Sequence, residues 1–497
     1  MLRGAGVLMH ISSLPGKFGI GTFGNEAYKF ADFIKKAGMK YWQILPLGHT
    51  SFGDSPYQCF NAFAGNPYFI DFDILKEAGL LKDMEYKNED YGQNDEKVDY
   101  EKIYNSKYKV LKRAYENYKS NQPHEIEVEF LQFKEKNSFW LEEYSLYMAL
   151  KLHFDVGNWY NWDEDIKLRK PEAIKQYKAE LKDEIEYWSF IQYLFFTQWF
   201  ELKKYVGALG IEIIGDIPIY VAEDSVDTWS APENFRLDKK TLEPSVVAGC
   251  PPDAFSDTGQ LWGNLIYDWD LMKKTGYKWW ISRIRESLKL YDIVRIDHFR
   301  GFESYWAVPH GDKTAANGKW EKGPGIGLFN AIKAELGDIN VIAEDLGYLT
   351  DEVRDFLEET GFPGMKILQF AFDGSNDNCY LPHRYIPKCV AYTGTHDNDT
   401  FLGWYEKTAS ENDIRNAKSY LGLNEAEGYS WGFLRGVWST VADVAIAQMQ
   451  DFIDVGNEAR MNLPSSMGTN WSWRLKSDRL TEELANKISG LNYRYGR

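Results

Sequence analysis

The chain has 497 residues, about three times the length usual for one domain, so either three domains or one barrel with insertions would account for it. Lys and Arg number 57 and Asp and Glu 74, and the resulting net charge of −17 disfavours a nucleic-acid backbone or an anionic membrane surface as a partner. Aromatic residues make up 16% of the chain, and their flat faces suit sugar rings as well as core packing.

Short apolar runs alternate with helical patterns along the chain. Continuous apolar strands separated by helices are typical of a parallel sheet buried on both faces. Eight such strands predict an α/β fold, a closed (β/α)8 TIM barrel. The predicted strands lie at 6–11, 41–47, 211–220, 293–299, 341–347, 365–370, 389–398 and 445–452.

The connection between the first two strands illustrates the expected helices. Asn25 is the predicted N-cap, and Gly38 is placed to end the helix. Ala27, Phe30 and Ile34 form one apolar stripe between them. We expect this stripe to pack on the barrel wall.

A large insertion follows the second predicted strand, because the segment from Leu47 to Ile211 is far longer than one crossover helix. Its body is charged and helical in pattern. We therefore divide the chain into a first part of the barrel at 1–75, a helical insertion at 76–187 and the rest of the barrel at 188–497. Long loops are expected at 227–270 and 311–327, at the strand ends where barrel enzymes build their sites.

The sequence also indicates a compartment. The four cysteines form no CxxC pair and have no metal-like spacing, which fits a reduced cytosolic protein. The N-terminus lacks a signal-peptide pattern, and no apolar run reaches the ~18 residues of a membrane helix. We expect a cytoplasmic protein with no membrane partner and no nucleic-acid partner.

Acidic residues collect at the ends of the predicted strands. Carboxylates enclosed there should repel one another, which raises the pKa of at least one. Arg295 and Asp297 are two residues apart and point to the same side of a strand, so the guanidinium can keep Asp297 ionised. The rim group comprises Asp216, Arg295, Asp297, Glu344, Asp345, His396 and Asp397.

This rim has the composition of a glycosidic site. Neighbouring strands could place Asp297 and Glu344 near the ~5 to 5.5 Å separation of a retaining mechanism. Glu344 is then the candidate general acid and base, and Asp397 would stabilise positive charge at the anomeric carbon. His298 and His396 could hydrogen-bond sugar hydroxyls as neutral imidazoles.

Spacing alone leaves alternatives open. Carboxylates at strand ends are often structural, and with His they also serve as metal ligands, although no HxH or HExxH motif is present. Gly19, Gly21 and Gly24 spell GxGxxG, but the second predicted strand has no acid to hold a ribose, so a loop is favoured over a nucleotide site. Trp471 and Trp473 are interpreted as packing residues.

Several longer motifs now carry a family resemblance across nearly the whole chain. The sequence resembles the 4-alpha-glucanotransferases, also called amylomaltases or disproportionating enzymes, of glycoside hydrolase family 77 in the alpha-amylase superfamily. The motifs are HISSLPGKFGIGTFG, SPYQCFNAFAGNPYFI, GDIPIYVAEDSVDTW, AGCPPDAFSDTGQLWGNLIYDW, VRIDHFRGF, VIAEDLG, YTGTHDNDT and NEARMNLPSSMGTNWSWR.

The resemblance implies roles for individual residues. Asp297 would be the nucleophile, Glu344 the acid and base, and Asp397 the transition-state stabiliser. A loop carrying Asp253, Phe255 and Trp262 is the candidate screen that excludes water and positions the acceptor. Residues implied to bind glucose units are Tyr57, Asp216, Trp262, Arg295, His298 and His396.

The resemblance further implies the reaction, EC 2.4.1.25. An α-1,4-glucan or maltooligosaccharide would be cleaved and its glycosyl group passed to the 4-hydroxyl of another sugar, with glucose as one acceptor. No cofactor and no required metal are implied. The alternatives are an amylase-like hydrolase that uses the same acids and a non-catalytic glucan-binding protein. Two positions depart from the family pattern, Leu265 where a Pro often follows WGN and Ser465 where a Gly follows NLP.

Overall fold

The computed structural model describes residues 1–51, 53–252, 256–347, 349–466 and 468–497. Within these ranges the strands form two sheets. The strands are β1 (Gly4–Leu8), β2 (Tyr41–Gln43), β3 (Glu212–Ile217), β4 (Val246–Cys250), β5 (Gln260–Leu265), β6 (Ile293–Ile296), β7 (Ser304–Pro309), β8 (Lys319–Lys322), β9 (Val341–Ala343), β10 (Gly364–Ile367), β11 (Cys389–Tyr392) and β12 (Val444–Gln448).

Helices occupy most of the connections between strands. The α-helices are α1 (Asn25–Lys36), α2 (Phe72–Glu77), α3 (Tyr100–Asn121), α4 (His124–Lys136), α5 (Ser138–His153), α6 (Glu164–Lys167), α7 (Pro171–Glu180), α8 (Lys182–Ala208), α9 (Val226–Ser230), α10 (Trp269–Lys274), α11 (Lys278–Leu290), α12 (Ile326–Leu336), α13 (Asp351–Thr360), α14 (Phe401–Gly403), α15 (Glu411–Leu421), α16 (Tyr429–Trp438), α17 (Met449–Phe452) and α18 (Glu482–Arg494).

The larger sheet has eight parallel strands in the order β10-β11-β12-β1-β2-β3-β6-β9. Most of these strands are buried along their whole length, which explains why their sequences read as apolar runs rather than as alternating patterns. Each of the eight predicted strands contains or overlaps one of them. The predicted (β/α)8 TIM barrel is confirmed.

The barrel closes between β9 and β10 through a few specific bonds. The backbone N–H of Ala343 donates to the carbonyl of Pro363 at 3.0 Å. The carboxylate of Asp345 accepts the backbone N–H of Met365 at 2.6 Å. Asp345, one of the predicted rim acids, therefore binds the barrel wall.

Helix α1 has the predicted apolar stripe, with Ala27, Phe30 and Ile34 buried. Its start differs by one residue from the expectation. Gly24 is the N-cap, in an extended conformation, and Asn25 is the first helical residue. A Cβ at position 24 would meet the carboxylate of Asp71 at 2.0 Å, so the close approach of Asp71 favours Gly there.

The connections at 227–270 and 311–327, predicted as long loops, also contain regular elements. They contain α9, β4, β5 and β8, and β4, β5, β7 and β8 form an antiparallel sheet in the order β5-β4-β7-β8. Its strands are short and several of their residues are exposed, so they lack the apolar run that marks the barrel strands.

Helices α2 to α8 lie between β2 and β3. Buried polar contacts join this region to the barrel. The imidazole of His49, just after β2, lies between two tyrosine hydroxyls, with Nε2 2.7 Å from Tyr108 and Nδ1 2.8 Å from Tyr144. Lys151 of α5 pairs with Asp224, which follows β3, at 2.5 Å. No α-helix among the described residues is long and apolar enough to cross a membrane.

Candidate active site

An arginine lies between two carboxylates at one end of the barrel. Asp216 on β3 and Arg295 on β6 are direct partners in the strand register. Arg295 Nη1 lies 2.6 Å from Asp216 Oδ2, and Nη2 lies 2.9 Å from Asp297 Oδ1. The Arg295 and Asp216 side chains are buried, whereas Asp297 is 30% exposed. The guanidinium therefore fixes the position of the Asp297 carboxylate, which stays partly accessible to solvent.

Glu344 stands beside Asp297 because their strands are neighbours. Ile296 of β6 pairs with Ala343 of β9, and Asp297 and Glu344 are the residues that come next. The Glu344 carboxyl oxygens accept the backbone N–H groups of His298 at 2.7 Å and Leu346 at 2.8 Å. These bonds hold the carboxyl group in place.

The pKa of Glu344 is raised to about 8. Desolvation by the surrounding protein is the main cause, and the negative charge of Asp297 adds to it. Arg295 and the two backbone N–H groups oppose the shift without cancelling it. At neutral pH Glu344 is therefore mostly protonated beside the carboxyl group of Asp297.

Burial also raises the pKa of Asp216, to about 7, although Arg295 opposes the shift. The hydroxyl of Tyr57 donates to the same oxygen of Asp216 at 2.9 Å. The other oxygen, Oδ1, is buried and has no hydrogen-bond partner among the described residues. Asp216 thus has acceptor capacity left for a further donor.

Asp397 lies after β11 and is 41% exposed. Its Oδ1 accepts the side-chain N–H of Asn462 at 2.6 Å, and its Oδ2 lies 3.4 Å from His396 Nε2. Burial lowers the pKa of His396 against the opposing effect of Asp397, so the imidazole is neutral at pH 7. Tyr57 stacks on this imidazole, with ring centroids 5.1 Å apart, and so joins Asp397 to the Asp216 side of the site.

His298 and Trp262 make a second aromatic wall. Their rings meet edge to face at 4.7 Å. Burial lowers the pKa of His298 to about 3, and its Nε2 has no hydrogen-bond partner among the described residues. The residue has a φ of 50°, in the left-handed region, which costs a non-glycine residue about 1 kcal/mol or more. Strain of this kind is common where a side chain is aimed at a ligand.

The structure thus brings together nine of the eleven site residues predicted from sequence. Asp253 and Phe255 are predicted to belong to the site but lie outside the described residues. Two residues that bind the Asp397 segment, Arg460 and Asn462, were missed. They occur in the family motif NEARMNLPSSMGTNWSWR, but no periodic pattern marks them. The residues brought together are Tyr57, Asp216, Trp262, Arg295, Asp297, His298, Glu344, His396 and Asp397.

Comparison with known proteins decides the family. A family model described as 4-alpha-glucanotransferase matches residues 9–481. A 4-alpha-glucanotransferase from Clostridium butyricum is 60% identical over 489 residues, which cover 98% of this chain and 100% of that protein. The chain belongs to the 4-alpha-glucanotransferase family.

Two further relatives agree with this assignment. A 4-alpha-glucanotransferase from Thermus thermophilus is 45% identical and is matched over 98% of both chains. The structure of an amylomaltase from Streptococcus agalactiae in complex with acarbose is 43% identical and superposes with a TM-score of 0.97, covering 100% of this chain and 99% of that one. The activity is 4-alpha-glucan transfer, as predicted, and the hydrolase alternative is not favoured.

Both departures from the family pattern can be located. Leu265 ends β5, where it is buried opposite Val247. Ser465 lies in a turn in which the N–H of Ser466 donates to the carbonyl of Leu463 at 3.2 Å. Its φ of 62° is a conformation that favours glycine, so the serine here is strained.

Proposed function

We propose that the enzyme transfers segments of α-1,4-glucan by a retaining double displacement at Asp297, Glu344 and Asp397. Asp297 attacks the anomeric carbon, and the bond from that carbon to the glycosidic oxygen breaks. Glu344 gives its proton to the departing oxygen in the same step. The sugar is then held as a glycosyl ester of Asp297.

The second step reverses the roles. The 4-hydroxyl of an acceptor sugar attacks the anomeric carbon, its proton passes to Glu344, and the ester bond to Asp297 breaks. Asp397 stabilises the positive charge that develops at the anomeric carbon in both steps. The stereochemistry at that carbon is retained because it is inverted twice.

One observation carries this assignment: two carboxyl groups on adjoining strands are placed in opposite environments. Arg295 forms an ion pair with Asp297 at 2.9 Å, whereas burial raises the pKa of Glu344 to about 8. A nucleophile must be ionised and an acid protonated at the same pH. The surroundings of the two groups support Asp297 as the nucleophile and Glu344 as the acid.

The surrounding residues support a sugar ligand. Asp216 Oδ1 and His298 Nε2 are buried atoms without a partner among the described residues, and sugar hydroxyls could satisfy both. Tyr57, Trp262 and His396 would bind glucose rings through their flat faces and polar atoms. We assign maltooligosaccharides and α-1,4-glucans as donors and glucose as an acceptor, and we include Asp253 and Phe255 among the substrate-binding residues.

Two broader assignments belong to the same proposal. The division into barrel at 1–75, helical insertion at 76–187 and barrel at 188–497 is supported by the helices that fill the segment between β2 and β3. A cytoplasmic location is supported by the spacing of the four cysteines, which form no CxxC pair and no metal-like pattern.

Incubation with maltotriose tests the reaction. Transfer yields glucose together with chains longer than maltotriose, whereas hydrolysis yields only shorter chains. Asp297→Asn should abolish turnover while sugar binding is retained, and Asp270→Asn, on the exposed side of α10, should leave turnover unchanged. Full activity in Asp297→Asn would reject the nucleophile, and a profile without longer products would reject transfer.

A further inference from the structure

The segment that carries Asp397 is held by a second segment, which follows β12. Arg460 in this second segment directs its guanidinium at three groups. Nη2 donates to the backbone carbonyl of Asp397 at 2.6 Å, Nε donates to the carbonyl of Asn462 at 2.8 Å, and Nη1 pairs with the carboxylate of Asp399. One planar side chain thus connects two separate parts of the chain.

Asn462 completes a closed ring of hydrogen bonds. Its side-chain N–H donates to Asp397 Oδ1 at 2.6 Å, and its backbone N–H donates to the carbonyl of His396 at 3.1 Å. Arg460 therefore holds the backbone of Asp397 and also the backbone of the residue that holds the Asp397 carboxylate. Replacement of the guanidinium would therefore shift both Asp397 and Asn462, the two partners in this hydrogen bond.

Asp399 anchors the guanidinium to the barrel. Its carboxylate also accepts Asn457 Nδ2 at 2.8 Å and the hydroxyl of Thr408 at 2.6 Å. Its backbone carbonyl accepts the side-chain amides of Gln369 at 2.9 Å and Gln448 at 3.2 Å. The Asp399 side chain is 9% exposed and the Arg460 side chain 19% exposed. The anchor is thus rigid and largely shielded from solvent.

We infer that Arg460 is a positioning residue that sets the place of the Asp397 carboxylate for the transfer reaction. The inference rests on the role of Asp397 proposed above. Arginine is suited to the task because its N–H groups have a fixed planar geometry, and a lysine could pair with Asp399 but could not also reach both carbonyls. Replacement of Arg460 by lysine would remove the hydrogen bonds to the two carbonyls and let Asp397 move, while the positive charge and the ion pair with Asp399 are kept.

The test is Arg460→Lys in the full-length enzyme, assayed with maltotriose. A misplacement of about 1 Å in a reacting geometry can cost on the order of a hundredfold in rate, so we expect a loss of that order in kcat with a much smaller change in KM. The matched control is Arg435→Lys on α16. Arg435 also combines an ion pair, to Glu427 at 2.8 Å, with a bond to a carbonyl, that of Leu421 at 2.9 Å. The Arg435→Lys variant should retain full activity.

A double-mutant cycle separates positioning from a purely structural role. If Arg460 acts through Asp397, Arg460→Lys should cost little further kcat once Asp397→Asn is present. A residue that only stabilises the fold would lower the activity of both backgrounds by the same factor. If Arg460→Lys does not fold, Asp399→Asn replaces it in the same cycle, because it weakens the anchor and leaves the arginine in place.

The outcomes are distinct. A large kcat loss that disappears in the Asp397→Asn background supports the inference. Full activity in Arg460→Lys, or equal losses in both backgrounds, overturns it while the proposed function stands. Full activity in Asp397→Asn overturns the role proposed for Asp397, and this inference falls with it.

Discussion

Asp297 and Glu344 are both carboxylic acids at the ends of adjoining strands, yet their surroundings separate their chemistry. Asp297 is partly exposed and lies 2.9 Å from a guanidinium. Glu344 is also only half-buried, but it faces the negative charge of Asp297 and is desolvated enough for its pKa to be raised. The negative charge of Asp297, the proposed nucleophile, helps to keep the proton on Glu344, the proposed acid.

The pKa of Glu344 leads to a pH prediction. Because burial and Asp297 raise this pKa to about 8, the acid form needed in the first step is present at neutral pH and is lost as the pH rises through 8. We expect kcat/KM for maltotriose to fall on the alkaline side with an apparent pKa near 8. Measurement of kcat/KM from pH 6 to 10 checks this.

Glu344→Gln is the control for that assignment. It should remove the alkaline fall and slow natural glucans severely, but spare the first step with donors that have good leaving groups, since those need less protonation. Equal losses on both kinds of donor would contradict the acid role. So would an alkaline fall that persists in the variant.

At the scale of elements, the barrel strands could be predicted because burial on both faces leaves uninterrupted apolar runs. Their carboxyl ends meet at one rim, which is why Asp216, Arg295, Asp297 and Glu344 could be grouped from the sequence. The small antiparallel sheet could not be predicted, because its strands are short and partly exposed and lie among Pro and Gly residues.

The Arg460 and Asn462 contacts could not be predicted for a different reason. They join Asp397 to residues 63 and 65 positions away in the chain, through irregular backbone on both sides. Hydrophobic periodicity carries no information about such contacts. Only the assembled barrel brings β11 and β12 side by side and so sets the two segments together.

The contact between helix α5 and the barrel leads to a stability prediction. The Lys151 side chain is 3% exposed, pairs with Asp224 at 2.5 Å and donates to the carbonyl of Gly157 at 3.1 Å. Lys151→Met leaves the partly buried carboxylate of Asp224 without its cation, and we expect a loss of about 2 to 3 kcal/mol in unfolding free energy. Urea denaturation measures it.

Lys102→Met is the matched control. Lys102 pairs with Asp90 at 2.6 Å, but both side chains are at least 40% exposed, so the pair is screened by solvent. Its loss should lower the unfolding free energy far less than the loss of the Lys151 pair. Equal effects of the two substitutions would show that Lys151 does not tie the insertion to the barrel.

At the scale of the whole molecule, the insertion and the barrel share one hydrophobic core in the part of the chain that is described. A chain of this length usually divides into separate cores. Here one contiguous cluster of buried residues includes Trp42 of the barrel and Tyr144 of the insertion. Helix α8 belongs to both, since it packs on α3, α4, α5 and α7 as well as on α1 and β3.

This continuity predicts that the insertion and the barrel unfold together. Separating them would expose the shared face of α8 and break the buried contacts of His49 and Lys151, so a state with only one part folded should not be populated. Hydrogen exchange followed by mass spectrometry at increasing urea measures each part separately. We expect amides of α3 and α5 to lose protection at the same urea concentration as amides of β1 and β12.

Ligand binding supplies the decisive arm of this experiment. A maltooligosaccharide at about 100 times its Kd stabilises the state that binds it by about 2.7 kcal/mol. If unfolding is coupled, that gain should shift the urea midpoint of α3 and α5 by as much as that of β1 and β12, although the proposed sugar site lies at the barrel rim. Earlier exchange in the insertion, or a ligand shift confined to the barrel strands, would mean that the two parts unfold separately. In that case one end of α8 would unfold with the insertion and the other end with the barrel.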